Sequence, residues 1–377
     1  MEQSAWVYIL LTAITVSFAF CIDNKEYVPL ALKGSYSAGE YGGYHRRQAR
    51  NAIAEFAIFV LLTGVSACRI AVGNDYWVYR DNFKLIAQER HVSSEFGFNL
   101  IVKWMQDIFG YDKYLPIFAL FSFLTVLFFV KALHDQGVHY AFSLFLLMTG
   151  GYYFNSLNSV RYYLALAIAL FSMKYVIRGE YGKFVLWIVA GAAFHKSVLL
   201  VIPVYLVARL LAGARLKKWH YVVGVLLILS LLFGQEFYRK IIFFFYPYYE
   251  NSVFDNGQIS YANIGKCLGT LGLCLLACKS SLKENLVYRF YFYLNLAGLV
   301  VYSCGSFIPE VSRVGYYMII SQIFLLPGVI QDMKKGWFCN FCTMGVVGAF
   351  LLYFVMLLRG MYAVDVRLLP YLNWIFN

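Results

Sequence analysis

The sequence predicts an all-α, polytopic integral membrane protein of about twelve transmembrane segments, one of them broken near His195. Three observations carry that prediction. Of 377 residues, 61% are hydrophobic and 14% charged, against about half and about a quarter in an average soluble domain. Polar groups are too few to cover the surface such a chain would show to water, which argues against a soluble globular enzyme. The apolar residues gather in runs near the ~20 residues that cross a hydrocarbon core as helix. Basic residues collect in the short connections between those runs, where Lys and Arg set orientation. No tandem repeat or low-complexity linker interrupts the pattern, so residues 1–377 read as a single integral membrane domain.

The first run, Ala5 to Cys21, has no basic residue ahead of it, and so reads as a spanning helix rather than a cleavable signal peptide. Further runs occupy 52–72, 114–133, 140–157, 160–177, 184–211, 219–236, 263–278, 286–308, 314–330 and 337–358. The short loop with Lys25, Lys33, Arg46, Arg47 and Arg50 is the most basic and is assigned to the cytoplasm, placing the N-terminal side of the first helix outside. Taken as one helix, 184–211 would carry Arg209, Arg215, Lys217 and Lys218 outward against that tendency. A break at Phe194-His195-Lys196-Ser197, with Pro203 beyond, resolves this as two short helices. The first has about 12 residues, ~18 Å of helix, which puts His195 within the membrane profile. The segment Tyr371-Leu372-Asn373-Trp374-Ile375-Phe376 is expected to lie amphipathically at the outer interface. Two further outward segments, 73–113, mixed polar and aromatic, and 237–262, which carries Phe243 to Tyr249, are also more than turns. They are expected to lie at the interface and contribute to an outward-facing cavity.

The chain is basic, with 32 Lys and Arg against 20 Asp and Glu. In a membrane protein that excess serves orientation and phosphate-bearing substrates rather than nucleic acid. Six of the eight cysteines fall within apolar runs, and Cys339 and Cys342 form a CxxC without a second ligand pair. No disulfide framework, metal site or cofactor is therefore expected.

Charged residues in or beside spanning helices are costly and mark candidate sites. With the orientation above, four stretches fall on the outer side. Asp75 stands beside Tyr76 and Tyr79, and Glu95 follows; two carboxylates could bind sugar hydroxyls, and one could serve as general base. Asn158-Ser159-Val160-Arg161 opens a helix, with Asn158 or Ser159 as cap. Arg161 in a first turn is unfavourable because a helix N-terminus is already positive, and an anion such as phosphate resolves the conflict. The alternative is a pairing of Arg161 with Glu95 or Asp75. Glu310 and Arg313 repeat the logic at another helix start, so Arg161 and Arg313 could flank a diphosphate; the alternative there is a local ion pair. His195 with Lys196 is a candidate catalyst or a structural hydrogen-bonder. The run Phe243 to Tyr249 stacks on sugars, with Tyr249 as candidate contact, or anchors among headgroups.

Gly73-Asn74-Asp75-Tyr76 with Tyr79, Glu95-Phe96-Gly97-Phe98, Asn158-Ser159-Val160-Arg161 running into Leu164-Ala165, and Phe194-His195-Lys196-Ser197 together resemble the EpsG family of bacterial exopolysaccharide and O-antigen polymerases of the Wzy type. The likeness spans roughly residues 50–330. One departure is Tyr162, where the family often carries Gln. The resemblance implies a GT-C-like, multi-pass glycosyltransferase of the bacterial cytoplasmic membrane with its active site facing outward. It would join polyprenyl-diphosphate-linked repeat units with inversion. Asp75, Tyr76, Glu95, Asn158, Arg161 and His195 match the family pattern, and Arg313 sits where a late arginine is expected; together with the residue readings above, Asp75, Glu95, Arg161 and His195 are the candidate catalytic residues, and Tyr76, Tyr79, Asn158, Lys196, Tyr249, Glu310 and Arg313 the candidate substrate-binding ones. Implied partners are lipid-linked oligosaccharides, membrane lipids, a flippase and a chain-length regulator. A lipid-linked oligosaccharide flippase or transporter is the alternative, although transporters usually show two related halves, and a membrane acyltransferase is third.

Overall fold

The computed structural model describes residues 4–23, 44–215, 217–245, 247, 250, 257 and 259–375. Among them the chain is helical, with no β-strand. In order the helices are α1 (Ala5–Phe20), α2 (Tyr44–Ala67), α3 (Asp75–Ala87), α4 (Phe96–Phe109), α5 (Leu115–Gln136), α6 (Tyr140–Thr149), α7 (Tyr152–Asn155), α8 (Val160–Arg178), α9 (Tyr181–Ala192), α10 (Val201–Gly213), α11 (Lys218–Phe233), α12 (Gln235–Phe245), α13 (Tyr261–Ala277), α14 (Lys279–Glu284), α15 (Leu286–Cys304), α16 (Val311–Ile319), α17 (Gln322–Gln331) and α18 (Trp337–Gly360).

Among the described residues six spans are long and apolar enough to cross a membrane: Arg46–Ala67, Leu115–Gln136, Val160–Arg178, Lys196–Gly213, Val311–Gln331 and Trp337–Gly360. Counting α11 and the helix after it, bent by 75°, as one span makes seven. The shorter apolar helices α1, α6, α9 and α13 occupy further expected runs. This is a multi-pass membrane protein. The expected break is present: α9 stops at Ala192, Lys196–Leu200 forms a 3-10 turn, and α10 starts at Val201. The run expected to reach residue 72 ends its helix at Ala67 instead. Just beyond it the Arg69 guanidinium folds back onto the Ser66 carbonyl, a favourable use of a cation at a helix C-terminus.

The chain divides into two compact units, Met1–Leu199 with Lys334–Asn377, and Leu200–Met333. In the first, α8 is the central helix, 83% of its apolar window being buried; it packs on α5 and α9, while α1 packs on α2 and α6. The segment expected as polar loop, 73–113, contains two amphipathic helices. α3 buries Tyr79, Phe83 and Ile86, and α4 buries Phe98, Val102 and Met105, both at the i, i+4, i+7 spacing of one helix face. These side chains join Phe118 and Phe121 of α5 and Val160, Leu164 and Ile168 of α8 in one aromatic-rich cluster. This packing fixes which faces α3 and α4 turn toward α5 and α8. The opposite face of α4 leaves Phe96, Leu100, Trp104 and Ile108 exposed.

In the second unit α15 is central, packing on α10, α13 and α16. The Asn285 side chain starts it by accepting from the Val287 and Tyr288 N–H groups, a standard N-cap. Inside the unit, Asn295 Nδ2 donates to Ser321 Oγ at 3.0 Å, and the Tyr205 hydroxyl donates to the Tyr317 carbonyl.

Candidate functional site

Two of the motif pairs meet at the start of α8, both within the first unit. The first contact joins the α2–α3 turn to the residues before α8. Gly73 has φ +91°, and a Cβ on it would stand 2.9 Å from both Asn158 Cα and the Leu157 carbonyl oxygen. Only glycine suits that backbone and that clearance. Held so close, the Asn158 Oδ1 accepts the Asp75 N–H at 2.9 Å, and the Ser159 hydroxyl donates to Asp75 Oδ2 at 2.6 Å. The expectation that Asn158 or Ser159 caps its own helix is corrected: Ser159 stands at the N-cap of α8 but makes no side-chain cap bond there. Asn158 caps α3 from across the turn, and in return the Arg161 N–H of α8 reaches the Tyr79 hydroxyl of α3 at 3.4 Å. Each helix start thus satisfies a free N–H of the other.

The second contact joins the start of α4 to the break after α9. A Cβ on Gly97 would lie 2.7 Å from Ala193 Cβ and 2.8 Å from its carbonyl oxygen, and the Phe98 N–H donates to that carbonyl at 3.3 Å. This close approach brings Glu95 under the broken segment. Its Oε1 accepts the Lys196 backbone N–H at 3.3 Å and stands 3.4 Å from His195 Nδ1. Its Oε2 accepts from Arg161 Nη1 at 2.5 Å. The guanidinium of Arg161 also lies over the Phe98 ring at 5.4 Å and the Tyr79 ring at 5.8 Å, while Tyr162 meets the His195 ring edge-on at 5.5 Å.

The side chains of Arg161 and Glu95 are 24% and 12% exposed, so the pair is screened far less than a surface salt bridge. Burial pushes the Glu95 carboxyl up, but its hydrogen bond to His195 and the charges of Arg161 and His195 outweigh that and hold it down at about 2. Such a carboxylate is a weak base and a strong orienter. In the neutral tautomer that donates from Nδ1 to Glu95, His195 presents the lone pair on Nε2, as a carboxylate-oriented histidine base does. Arg161 adds a fixed cation to the positive start of α8, and its Nε is buried with no hydrogen-bond partner among the described residues. Among those residues no group of three or more His, Cys, Asp and Glu is placed to hold a metal ion.

The family model for EpsG matches residues 53–373, which takes in all of these residues. The chain belongs to the EpsG family. No curated protein and no solved structure matches it.

The EpsG match extends past the four motifs, which end at Ser197, and past residue 330 to the segment after α18. Of the expected site residues, Asp75, Tyr79, Glu95, Asn158, Arg161, His195 and the backbone of Lys196 come together around the start of α8. The Lys196 side chain itself is exposed. Tyr76 turns to the packing side, stacked on Phe118 with ring centroids 4.7 Å apart. Glu310 and Arg313 belong to the second unit, where they take the local alternative, Arg313 Nε standing 3.1 Å from Glu310 Oε2. Tyr249 lies outside the described residues. Sequence reasoning passed over Gly73, Gly97 and Arg69. Both glycines sat inside quoted motifs beside an acid, and Arg69 was a lone charge at the end of an apolar run, which is the signal that flags it.

Proposed function

We propose that this chain is a polysaccharide polymerase, a glycosyltransferase that joins polyprenyl-diphosphate-linked oligosaccharide repeat units. The observation that carries the reading is the Glu95 carboxylate shared between Arg161 and His195, with Asp75 held beside them by Ser159, in a chain of the EpsG family. The proposed setting is the outer face of a bacterial cytoplasmic membrane, with twelve spanning or partly spanning segments and a GT-C-like architecture. Lipid-linked oligosaccharides are the substrates, and a flippase and a chain-length regulator are the protein partners.

In the proposed reaction an acceptor hydroxyl oxygen attacks the anomeric carbon of the glycan carried on polyprenyl diphosphate. The new C–O bond forms as the bond to the diphosphate breaks, inverting the anomeric centre. The acceptor proton passes to His195 Nε2, and the diphosphate departs with the bonding electron pair. Arg161 and the positive end of α8 stabilise the charge growing on that leaving group, which is usually the largest electrostatic term. Glu95 stays ionised and orients both Arg161 and His195. Asp75 has one oxygen committed to Ser159 and orients the acceptor for attack through its sugar hydroxyls.

A strain lacking the protein tests the reading against a flippase. Polymerase loss leaves single repeat units displayed outside the cell, whereas units trapped on the cytoplasmic leaflet would sink the proposal. Reconstitution with one defined lipid-linked repeat unit then reads chain growth directly.

A further inference from the structure

The turn between α2 and α3, which ends on Asp75, is built largely by a distant segment of the same unit. After α18 the chain returns along it. The Ile70 N–H donates to the Leu372 carbonyl at 3.0 Å, and the Trp374 N–H to the Cys68 carbonyl at 3.1 Å, with Arg69 and Asn373 forming an antiparallel bridge. The Gly73 N–H donates to the Arg367 carbonyl at 2.7 Å, and the Asn74 N–H to the Val366 carbonyl at 3.0 Å. Of the last two, the Asn74 N–H is one of the free N–H groups at the start of α3, of the kind every helix must satisfy, and Gly73 stands one residue before it. Asn158 satisfies the next one, that of Asp75. The N-terminus of α3 is therefore capped from two sides, by the Val366 carbonyl and by Asn158, with nothing from its own N-cap side chain, while the Arg367 carbonyl holds Gly73 just ahead of it.

The segment is itself anchored. Leu368 and Leu369 are buried, the Tyr8 hydroxyl donates to the Leu368 carbonyl at 2.7 Å, and the Tyr371 hydroxyl donates to the Val65 carbonyl at 2.9 Å. Beneath it Arg69, 1% exposed, donates to Ser122 Oγ of α5 at 3.0 Å and lies 5.1 Å over the Phe118 ring, on which Tyr76 also stacks. Tyr76 is thus fixed by Phe118, which Arg69 covers, and the backbone entry to Asp75 is fixed by residues 366–374.

We propose that residues 366–374 are a positioning strap: they set the first turn of α3 so that the Asp75 carboxylate meets Ser159 and faces the acceptor. The catalytic part of this inference rests on the polymerase reading; the structural part does not.

Trp374 offers a clean test, because its ring is exposed while its N–H is the donor to Cys68. Trp374→Pro removes that donor, and Trp374→Ala keeps it. Hydrogen exchange of the full-length protein in detergent is expected to show amides 73–75 exchanging about 10-fold faster in the proline variant than in the alanine variant, with amides 164–173 of α8 unchanged. In the reconstituted assay kcat falls by about 10-fold in the proline variant while KM for the lipid-linked unit stays within about twofold, as a misplaced group predicts. Tyr371→Phe, which loses only the bond to Val65, gives the same pattern at smaller amplitude and serves if the proline variant does not accumulate. Equal exchange at 73–75 in the proline and alanine variants overturns the strap, and so does accelerated exchange with kcat untouched. Because exchange needs no turnover, accelerated exchange beside an inactive wild type keeps the strap and removes the polymerase.

Discussion

Arg161 and Arg313 occupy matching places, each in the first turn of a helix with an acid nearby, yet their surroundings differ in kind. Arg313 pairs with Glu310 three residues before it, a contact one helix turn supplies without help from the rest of its unit. Arg161 pairs with Glu95, 66 positions away, and that carboxylate also takes the Lys196 N–H and faces His195. A local i, i+3 pair is typically worth about 0.3–0.5 kcal/mol. The distant one can form only if α4, α8 and the α9–α10 break have all been placed. What separates a charge that decorates a helix start from one that marks a site is how much of the fold is spent holding its partner.

That contrast can be broken most sharply at His195. His195→Ala is expected to lower chain growth by about 10²–10⁴-fold if the imidazole is the base, measured as polymer length and initial rate with a defined lipid-linked unit; a rate within threefold of wild type removes it from the chemistry. Arg161→Ala is expected to cost about 10²–10³-fold, and Arg313→Ala much less. An equal loss in the two arginine variants would erase the distinction between the local and the distant pair.

Smaller effects sharpen the structural side. Gly73→Ala forces a side chain into a left-handed backbone and against Asn158, and is expected to destabilise the first unit by about 1–3 kcal/mol, read as a lowered midpoint of thermal unfolding in detergent. A further effect of similar size is expected on acid stability. The folded Glu95 carboxyl is held at about 2 against an ordinary 4.5, so between those values the unfolded chain binds the extra proton and stability rises with pH. Its contribution is complete above about pH 4.5 and is lost as pH falls through about 2; Glu95→Gln should flatten the unfolding profile across that window.

Much of this arrangement is legible without coordinates. The apolar runs locate nearly every long helix because a bilayer leaves the backbone no alternative, and the break at His195 follows from charge placement alone. Pairing of Arg161 with Glu95 was one of two alternatives that opposite charges on the same side allow. The partners of Asn158 and Ser159 were not legible, since a cap looks the same in sequence whether it serves its own helix or a neighbour's. Gly97 against Ala193 is a contact between two unremarkable small residues, visible only once α4 and α9 are packed. The α3 and α4 helices were hidden because their apolar residues alternate with charge at helical spacing instead of forming a run.

The strap also has a consequence for the order in which the protein is made. Tyr371 bonds to Val65 across 306 positions of chain, so the turn leading into Asp75 waits for residues 366–374 to leave the ribosome. Helices α2, α5 and α8 can enter the bilayer and pack as they are synthesised. The acid at the head of α3 reaches its final place only after that segment arrives, which keeps a chain without it from presenting a finished site.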